Sequence, residues 1–409
     1  MLEGENIICF AKDWSEDPTS NNHVMRILAR GNKVVWLNSI GVRKPSLTSG
    51  RDLRKIVHKL RRFAEGPVQV ADGLWVFTPL ALPFPHSEWA SAINGQILRR
   101  TIAFLRRRLE IDRFQLWTFL PNVARYLGRL GESLAVYYCT DEFSQFSYLD
   151  GARLRAEEQE LCRRADVVFT TAGSLWERRR PLNPETHLAL HGVDHRHFAA
   201  ALATTTATPA DLADAPRPIL GFFGLIHDWI DLDLIAYLAE RRPDWTVALI
   251  GKASVDVSRL QRYPNIRILG RKPYADLPGY CKAFSVGLLP FVINELTTNV
   301  NPIKLREYLS AGLPVVSTDL PETRGYDSCR IARSPAEFLA ACEQAIAADT
   351  PSLRLTRSQA VAGETWEARV NEIGRIVHEV AQRRSRYVQR EHQSALVHQH
   401  FQSVRRSQQ

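Results

Sequence analysis

Short β-branched and aromatic runs alternate with helix-patterned stretches along this chain, and the alternation occurs twice. The first series comprises Ile7–Ala11, Val34–Asn38, Leu74–Thr78, Phe114–Phe119, Leu134–Tyr138, Val167–Thr171 and His187–His191. The second comprises Ile219–Phe223, Thr246–Ile250, Ile266–Leu269, Val286–Phe291 and Pro314–Ser317. Strands separated by helices pair in parallel through crossovers, so each half is expected to be an α/β layer of Rossmann-like type, with a ligand cleft between them. Between the series, residues 199–216 are small, low in complexity and bounded by proline, as a flexible connector would be. A chain of 409 residues with 45% hydrophobic content can bury two cores. The predicted division is a first domain over 1–198, a linker over 199–216 and a second domain over 217–365. A helix over 366–387 follows, with Val370, Ile373, Ile376, Val377 and Val380 on one stripe, and then a frayed tail over 388–409. His392, His398 and His400 in that tail are expected to be solvated, not metal ligands.

Asn301-Pro-Ile-Lys-Leu-Arg-Glu-Tyr-Leu-Ser-Ala-Gly312 carries the most chemistry. Asn301 suits a cap, Pro302 the first helical position and Gly312 the stop, and the helix start so built aims free amides and a dipole at an anion. Lys304 lies in the first turn and Glu307 one turn on, a cation and an acceptor suited to the phosphates and hydroxyls of a nucleoside diphosphate sugar. The same pattern also serves an ordinary crossover helix whose Lys304 and Glu307 meet solvent.

Together with its flanks, this segment resembles retaining glycosyltransferases of the GT-B fold, of the glycosyltransferase family 4 type. The resemblance extends to Gly221-Phe-Phe-Gly224, Ala248-Leu-Ile-Gly-Lys252 and Ile268-Leu-Gly-Arg-Lys-Pro-Tyr274. Trp117-Thr-Phe-Leu-Pro121, Val136-Tyr-Tyr-Cys-Thr-Asp-Glu142 and His191-Gly-Val-Asp194 in the first half look like landmarks of bacterial exopolysaccharide and cell-wall members. The resemblance implies two Rossmann-like domains facing each other across a cleft, a nucleotide-sugar donor and a glycan or lipid-linked acceptor. It implies Gly224 close to the diphosphate, and Arg271 and Lys272 near the base, with Lys252 at the same edge. Two departures stand out. Family members carry two glutamates eight positions apart, and here Glu307 answers the second while Asn299 occupies the first, leaving Thr297, Thr298 or Asn299 to meet the sugar. After Gly224, where members have an Arg and a Lys, this chain has Leu225-Ile-His-Asp-Trp229, so His227 and Lys304 are the available substitutes.

On the acceptor side, Asp141 and Glu142 follow an apolar strand and should emerge at its carboxyl edge, where either would serve as a base; the alternative is an acid pair capping the next segment. His191 is a further cleft candidate, and Asp13 with Asn21 and Asn22 are candidates for acceptor binding. Helix amides and cations can do for a departing diphosphate what a metal does elsewhere, so neither metal nor cofactor is expected. Asp231-Leu-Asp233 reads as acids at a helix start, not as a metal motif. The same fold also serves nucleotide-sugar epimerases, and the two departures leave a non-catalytic sugar-nucleotide-binding protein open.

All of the +9 net charge lies in residues 1–130, with 20 Lys/Arg against 11 Asp/Glu. Two segments there, 51–63 and 97–109, interleave cations with apolar residues at helical spacing, a pattern suited to an anionic membrane surface and equally to a packed surface helix. No zinc spacing or RNA-binding signature favours nucleic acid. The six cysteines lack C-x-x-C spacing, the N-terminus is acidic and no apolar run nears the ~20 residues of a membrane span, so the expectation is a cytoplasmic protein, peripheral on the inner face of the plasma membrane.

Overall fold

A computed structural model describes residues 2–16, 18–40, 58–82, 84, 87–147 and 149–406, the last with side chains to residue 386. It has two Rossmann-like domains facing each other across a cleft. The first is built on β1 (Asn6–Phe10), β2 (Lys33–Leu37), β3 (Val68–Ala71), β4 (Leu74–Phe77), β5 (Gln115–Thr118), β6 (Leu134–Cys139), β7 (Val167–Thr170) and β8 (Thr186–Leu188), in the order β3-β4-β2-β1-β5-β6-β7-β8. All pairs are parallel except β3 with β4. Helices α1 (Ser20–Leu28), α2 (Glu88–Arg108), α3 (Gly151–Arg164) and α4 (Gly173–Arg179) supply crossovers, and α5 (His195–Ala199) leads out of the domain. The second sheet is wholly parallel, in the order β11-β10-β9-β12-β13-β14. Its strands are β9 (Ile219–Phe223), β10 (Thr246–Ile250), β11 (Ile266–Gly270), β12 (Val286–Leu289), β13 (Val315–Thr318) and β14 (Cys329–Ala332). Helices α6 (Leu232–Arg241), α7 (Leu277–Ala283), α8 (Ile303–Ser310), α9 (Pro335–Ala348) and α10 (Pro351–Ala360) accompany them.

Every residue of β6, β9 and β10 is buried, as parallel strands covered on both faces must be, and that is why they read as unbroken apolar runs. The edge strands β3 and β14 have no such signature: β3 is exposed along its length, and β14 is buried only at its two ends. The six cysteines are free and buried. Two expectations need correction. Residues 199–216 are not a featureless connector, because they form two 3-10 turns, Ala200–Leu202 and Ala210–Leu212, anchored by a fully buried Leu212. Helix α11 (Trp366–Arg406) does not stop near residue 387 but continues to Arg406; no proline or glycine interrupts residues 375–409. Val370, Ile373, Ile376, Val377 and Val380 of α11 join Ile7, Val34, Trp36 and Val136 in the first domain's core, so the chain crosses between the domains twice. The crossings lie side by side, with Val193 bridged to Thr365 and the Val193 N–H donating to the Glu364 carbonyl at 2.9 Å.

Candidate functional site

The carboxyl edge of the second sheet forms one wall of the cleft. Gly224 follows β9 with φ +147 and donates its N–H to the Ile250 carbonyl at 2.8 Å, while Gly251 follows β10 with φ +139. Side chains are not tolerated at either position: a Cβ on Gly224 would run into Lys304 Cε, and one on Gly251 into the Gly224 carbonyl. This close approach brings Lys304 over the end of β9, its Nζ 5.9 Å above the Phe223 ring. Among the described residues Lys304 has no ion-pair partner.

Helix α8 begins differently from the expected cap. Pro302, not Asn301, occupies the N-cap, with extended backbone (φ −72, ψ 111) and no side-chain cap bond. Asn301 is turned inward, its Oδ1 accepting from Arg306 Nη1 at 2.6 Å and its Nδ2 donating to Glu322 at 3.1 Å. With no side chain capping it, the helix start keeps its first amides available to a ligand. At the far end Gly312 takes φ +80, the left-handed stop that its position suggests. Glu307, half-buried, is pushed up to about 6 by burial; Lys304 works against that shift and Asp194 adds to it. Its carboxylate therefore stands where protonation near neutral pH matters.

His191 lies three residues past β8, buried, with no partner for its Nδ1 among the described residues. Burial, then the charges of Arg306, His23 and Lys304, hold it down to about 3, so the imidazole is neutral. His23 stacks on Trp366 at 5.0 Å and 3°, and is likewise lowered to about 4, chiefly by burial. A neutral buried imidazole with an unsatisfied nitrogen, close enough to Lys304 to feel its charge, is a hydrogen-bonding position awaiting a partner.

The acid pair of the first domain divides into two roles. Asp141, half-buried just beyond β6, is pushed up to about 6 by burial, partly offset by a bond from Thr140. Glu142 is no free base: it is buried, ion-paired with Arg179 at 2.8 Å and Arg178 at 3.5 Å, and accepts from Ser144 Oγ at 2.7 Å. Burial pushes Glu142 upward, but the Arg179 bond and charge outweigh it and the pKa falls below the ordinary value. Arg178 reaches Glu295 across the cleft at 3.3 Å, so Glu142 anchors an interdomain ion pair.

Other candidates scatter. Lys272 pairs with Asp211 at 2.7 Å, toward the connector, whereas Lys252 and Arg271 lie exposed beyond β10 and β11. Thr298 Oγ1 donates to the Asn294 carbonyl at 2.9 Å. Asn299 is 1% exposed, donating to the Glu295 carbonyl at 2.5 Å, and its Oδ1 has no partner among the described residues. His227 stacks on Trp229 at 4.2 Å with Nδ1 2.6 Å from Asp228. Asp13 accepts from the Ser39 N–H at 3.0 Å, and Asn22 closes the capping box of α1. Asp231 caps α6 and Asp233 pairs with Arg259 at 2.6 Å; among the described residues no three His, Cys, Asp or Glu side chains converge as metal ligands. Sequence reasoning missed Arg306, 1% exposed inside α8, because a helix arginine reads as a solvated cation.

Residues 217–348 match the family model described as glycosyl transferases group 1. That match lies within the second domain and covers less than half of the chain. A putative teichuronic acid biosynthesis glycosyltransferase of Bacillus subtilis, TuaH, is 25% identical over 256 residues, which is 58% of this chain and 64% of that protein. The match thus spans just under two thirds of the curated relative. The sucrose-phosphate synthase of Thermosynechococcus elongatus is similar in fold over 92% of this chain and 99% of that one, at 13% identity and TM-score 0.67. The Anabaena protein HepE, solved with UDP and glucose, matches over 94% and 99%, at 13% identity and TM-score 0.57. An Escherichia coli trehalose-6-phosphate protein bound with UDP-2-fluoro glucose matches over 92% and 99%, at 11% identity and TM-score 0.61. These likenesses, together with the group 1 domain, establish the GT-B fold. The group 1 match lies within the second domain, so the first-domain candidates Asp141, Glu142 and His191 lie outside it.

Proposed function

We propose that the protein is a glycosyltransferase that moves a sugar from a nucleoside diphosphate sugar to a glycan or lipid-linked acceptor in surface-polysaccharide assembly. One observation carries the reading: the uncapped start of α8, with unpaired Lys304 against Gly224 and the unsatisfied Nδ1 of His191 nearby. Amides and ammonium would stabilise the departing diphosphate, and Glu307 would accept hydroxyls of the nucleotide sugar. Asn299, with its unsatisfied buried oxygen, would take a sugar hydroxyl in place of the absent glutamate. Above a pH of about 6 Asp141 would be a carboxylate able to receive the acceptor's proton. The UDP complexes of similarly folded proteins and the teichuronic acid relative support donor class and pathway type.

The test is a thermal-shift panel of nucleoside diphosphates and their sugars, followed by turnover with and without EDTA. A ligand at a hundred times its Kd stabilises a folded protein by about 2.7 kcal/mol, so one nucleotide class should raise Tm by several degrees. Release of diphosphate from the matching sugar should survive chelation. Loss of turnover in EDTA with rescue by magnesium would overturn the metal-independent mechanism. Conversion of the donor sugar without an acceptor would identify an epimerase, and binding without turnover a non-catalytic protein.

The acceptor side of the proposal includes an anionic membrane. Along α2, Trp89 is 60% exposed and Ile93 and Phe104 are each 43% exposed, and Arg100 and Arg107 share their stripe at helical spacing. Leu60, 51% exposed, lies nearby in sequence to Phe63, which links through Phe77 to Phe104 at 5.7 and 6.3 Å. Arg106 is otherwise engaged, bonded to the Ile111 and Asp112 carbonyls, and Arg54 and Lys55 fall outside the described residues. Among the described residues no helix is long and apolar enough to cross a membrane. At roughly 1 kcal/mol per surface cation, reversal of Arg100 and Arg107 to Glu with Trp89→Ser should abolish flotation with anionic liposomes. Equal recovery with neutral vesicles would remove the electrostatic part of this reading.

A further inference from the structure

Where the family resemblance leads one to expect cations after Gly224, the chain places rings instead. His227 and Trp229 stack at 4.2 Å, and Trp229 meets Phe146 of the opposite domain edge-on at 6.1 Å, with Phe143 a further 6.0 Å away. All four are half-buried. The two domains are tied beside this cluster by Ser147 Oγ donating to Asp228 at 2.7 Å. On the second-domain side, Leu225 and Ile293 leave 41% and 48% of their surfaces open, and the Val292 N–H donates to the Trp229 carbonyl at 2.9 Å. The result is an aromatic shelf at the mouth of the cleft, built from both domains.

We propose that this shelf is the subsite for a pyranose ring of the acceptor. A pyranose presents a face of C–H groups with partial positive charge, which meets the negative face of an aromatic ring, while its hydroxyls radiate at the edge and seek polar partners. The shelf has both parts: rings in the middle, with Ser147, Asp228, Glu295 and Arg178 around them. That polar surround distinguishes it from a channel for an acyl or prenyl chain, which would need unbroken apolar walls.

Its position also separates it from the nucleotide. Ile230 bridges to Phe291 just past β12, so Trp229 lies toward the β12 side of Gly224. Arg271, expected near the base, follows β11, on the other side of β9. Asp141 emerges two residues before Phe143, which puts the proposed proton acceptor beside the shelf. The inference rests on the glycosyltransferase reading only for the role given to the bound sugar; the sugar-binding surface itself does not depend on it.

The experiment uses saturation-transfer difference NMR on the full chain with cellobiose, maltose, lactose and N,N′-diacetylchitobiose as probes, with and without UDP. At least one disaccharide should bind, with saturation strongest on the C–H protons of one ring face. Trp229→Leu with Phe146→Leu keeps apolar bulk but removes the π faces, and should weaken that binding roughly tenfold, as expected for two ring contacts. Trp229→Phe should retain most of it. UDP affinity, measured by calorimetry, should be unchanged in every variant and so reports an intact fold. Undiminished sugar binding in the double leucine variant, or no disaccharide bound by a wild-type protein that binds UDP, would overturn the subsite. Sugar binding without binding of any nucleoside diphosphate in the thermal-shift panel would instead count against the nucleotide-sugar reading alone.

Discussion

Lys304→Ala is expected to weaken nucleotide-sugar binding roughly 10- to 150-fold, the loss of about 1.5–3 kcal/mol that accompanies a hydrogen bond to a charged group. Lys304 is in no ion pair among the described residues and touches the strand end where Gly224 admits no side chain, so its removal should spare the fold. Isothermal titration with the nucleotide sugar measures the loss, and unfolding in urea checks stability. The same titration carries a pH signature. Glu307 is pushed up to about 6 by burial, and only its carboxylate accepts hydroxyls, so affinity should fall as pH drops through that value. The nucleotide sugar lacks a free terminal phosphate, and His191 and His23 are held near 3 and 4, so neither the ligand nor these two histidines change charge in that range. Glu307→Gln should flatten it. Affinity unchanged in Lys304→Ala would remove α8 from the donor site.

Arg306→Ala should destabilise the protein by about 1–3 kcal/mol, the cost of leaving buried polar groups without a hydrogen-bond partner, here the Asn301 oxygen above all. The guanidinium donates to Glu364 at 2.7 Å and to Asn301 at 2.6 Å, and lies 5.4 Å from the Tyr326 ring, whose hydroxyl also donates to Glu364 at 2.8 Å. Arg306→Met, which keeps most of the bulk, should cost less than the alanine variant because it leaves a smaller cavity. Denaturant midpoints give both values. A cost below about 1 kcal/mol for the alanine variant would mean that water reaches the pair.

The architecture was legible because fully buried parallel strands write themselves as unbroken apolar runs, whereas β3 and β14, at sheet edges, left no such trace. Lys304 and Glu307 could be assigned to successive turns of α8 because a proline before it and a glycine after it mark its ends. What stayed hidden was partnership across the chain. Glu142 and Lys272 looked like site residues until Arg179 and Asp211, distant in sequence, were found holding them. Asn301 suited a cap by residue type, but a buried arginine one turn further on claimed its oxygen. The ring cluster was invisible for a related reason: Phe146 and Trp229 belong to different domains, and only the fold brings them within 6.1 Å.

The double crossing near Val193 and Thr365 makes the first domain discontinuous in sequence. Part of its core is supplied by Trp366, Val370, Ile373 and Val377. A fragment ending before that helix would expose the apolar seat it fills, and a protease nick within residues 199–216 would leave two pieces still clasped together. Exchange of the second domain between relatives by recombination therefore requires two junctions, one at each crossing. A single splice would graft a foreign helix into the first domain's core.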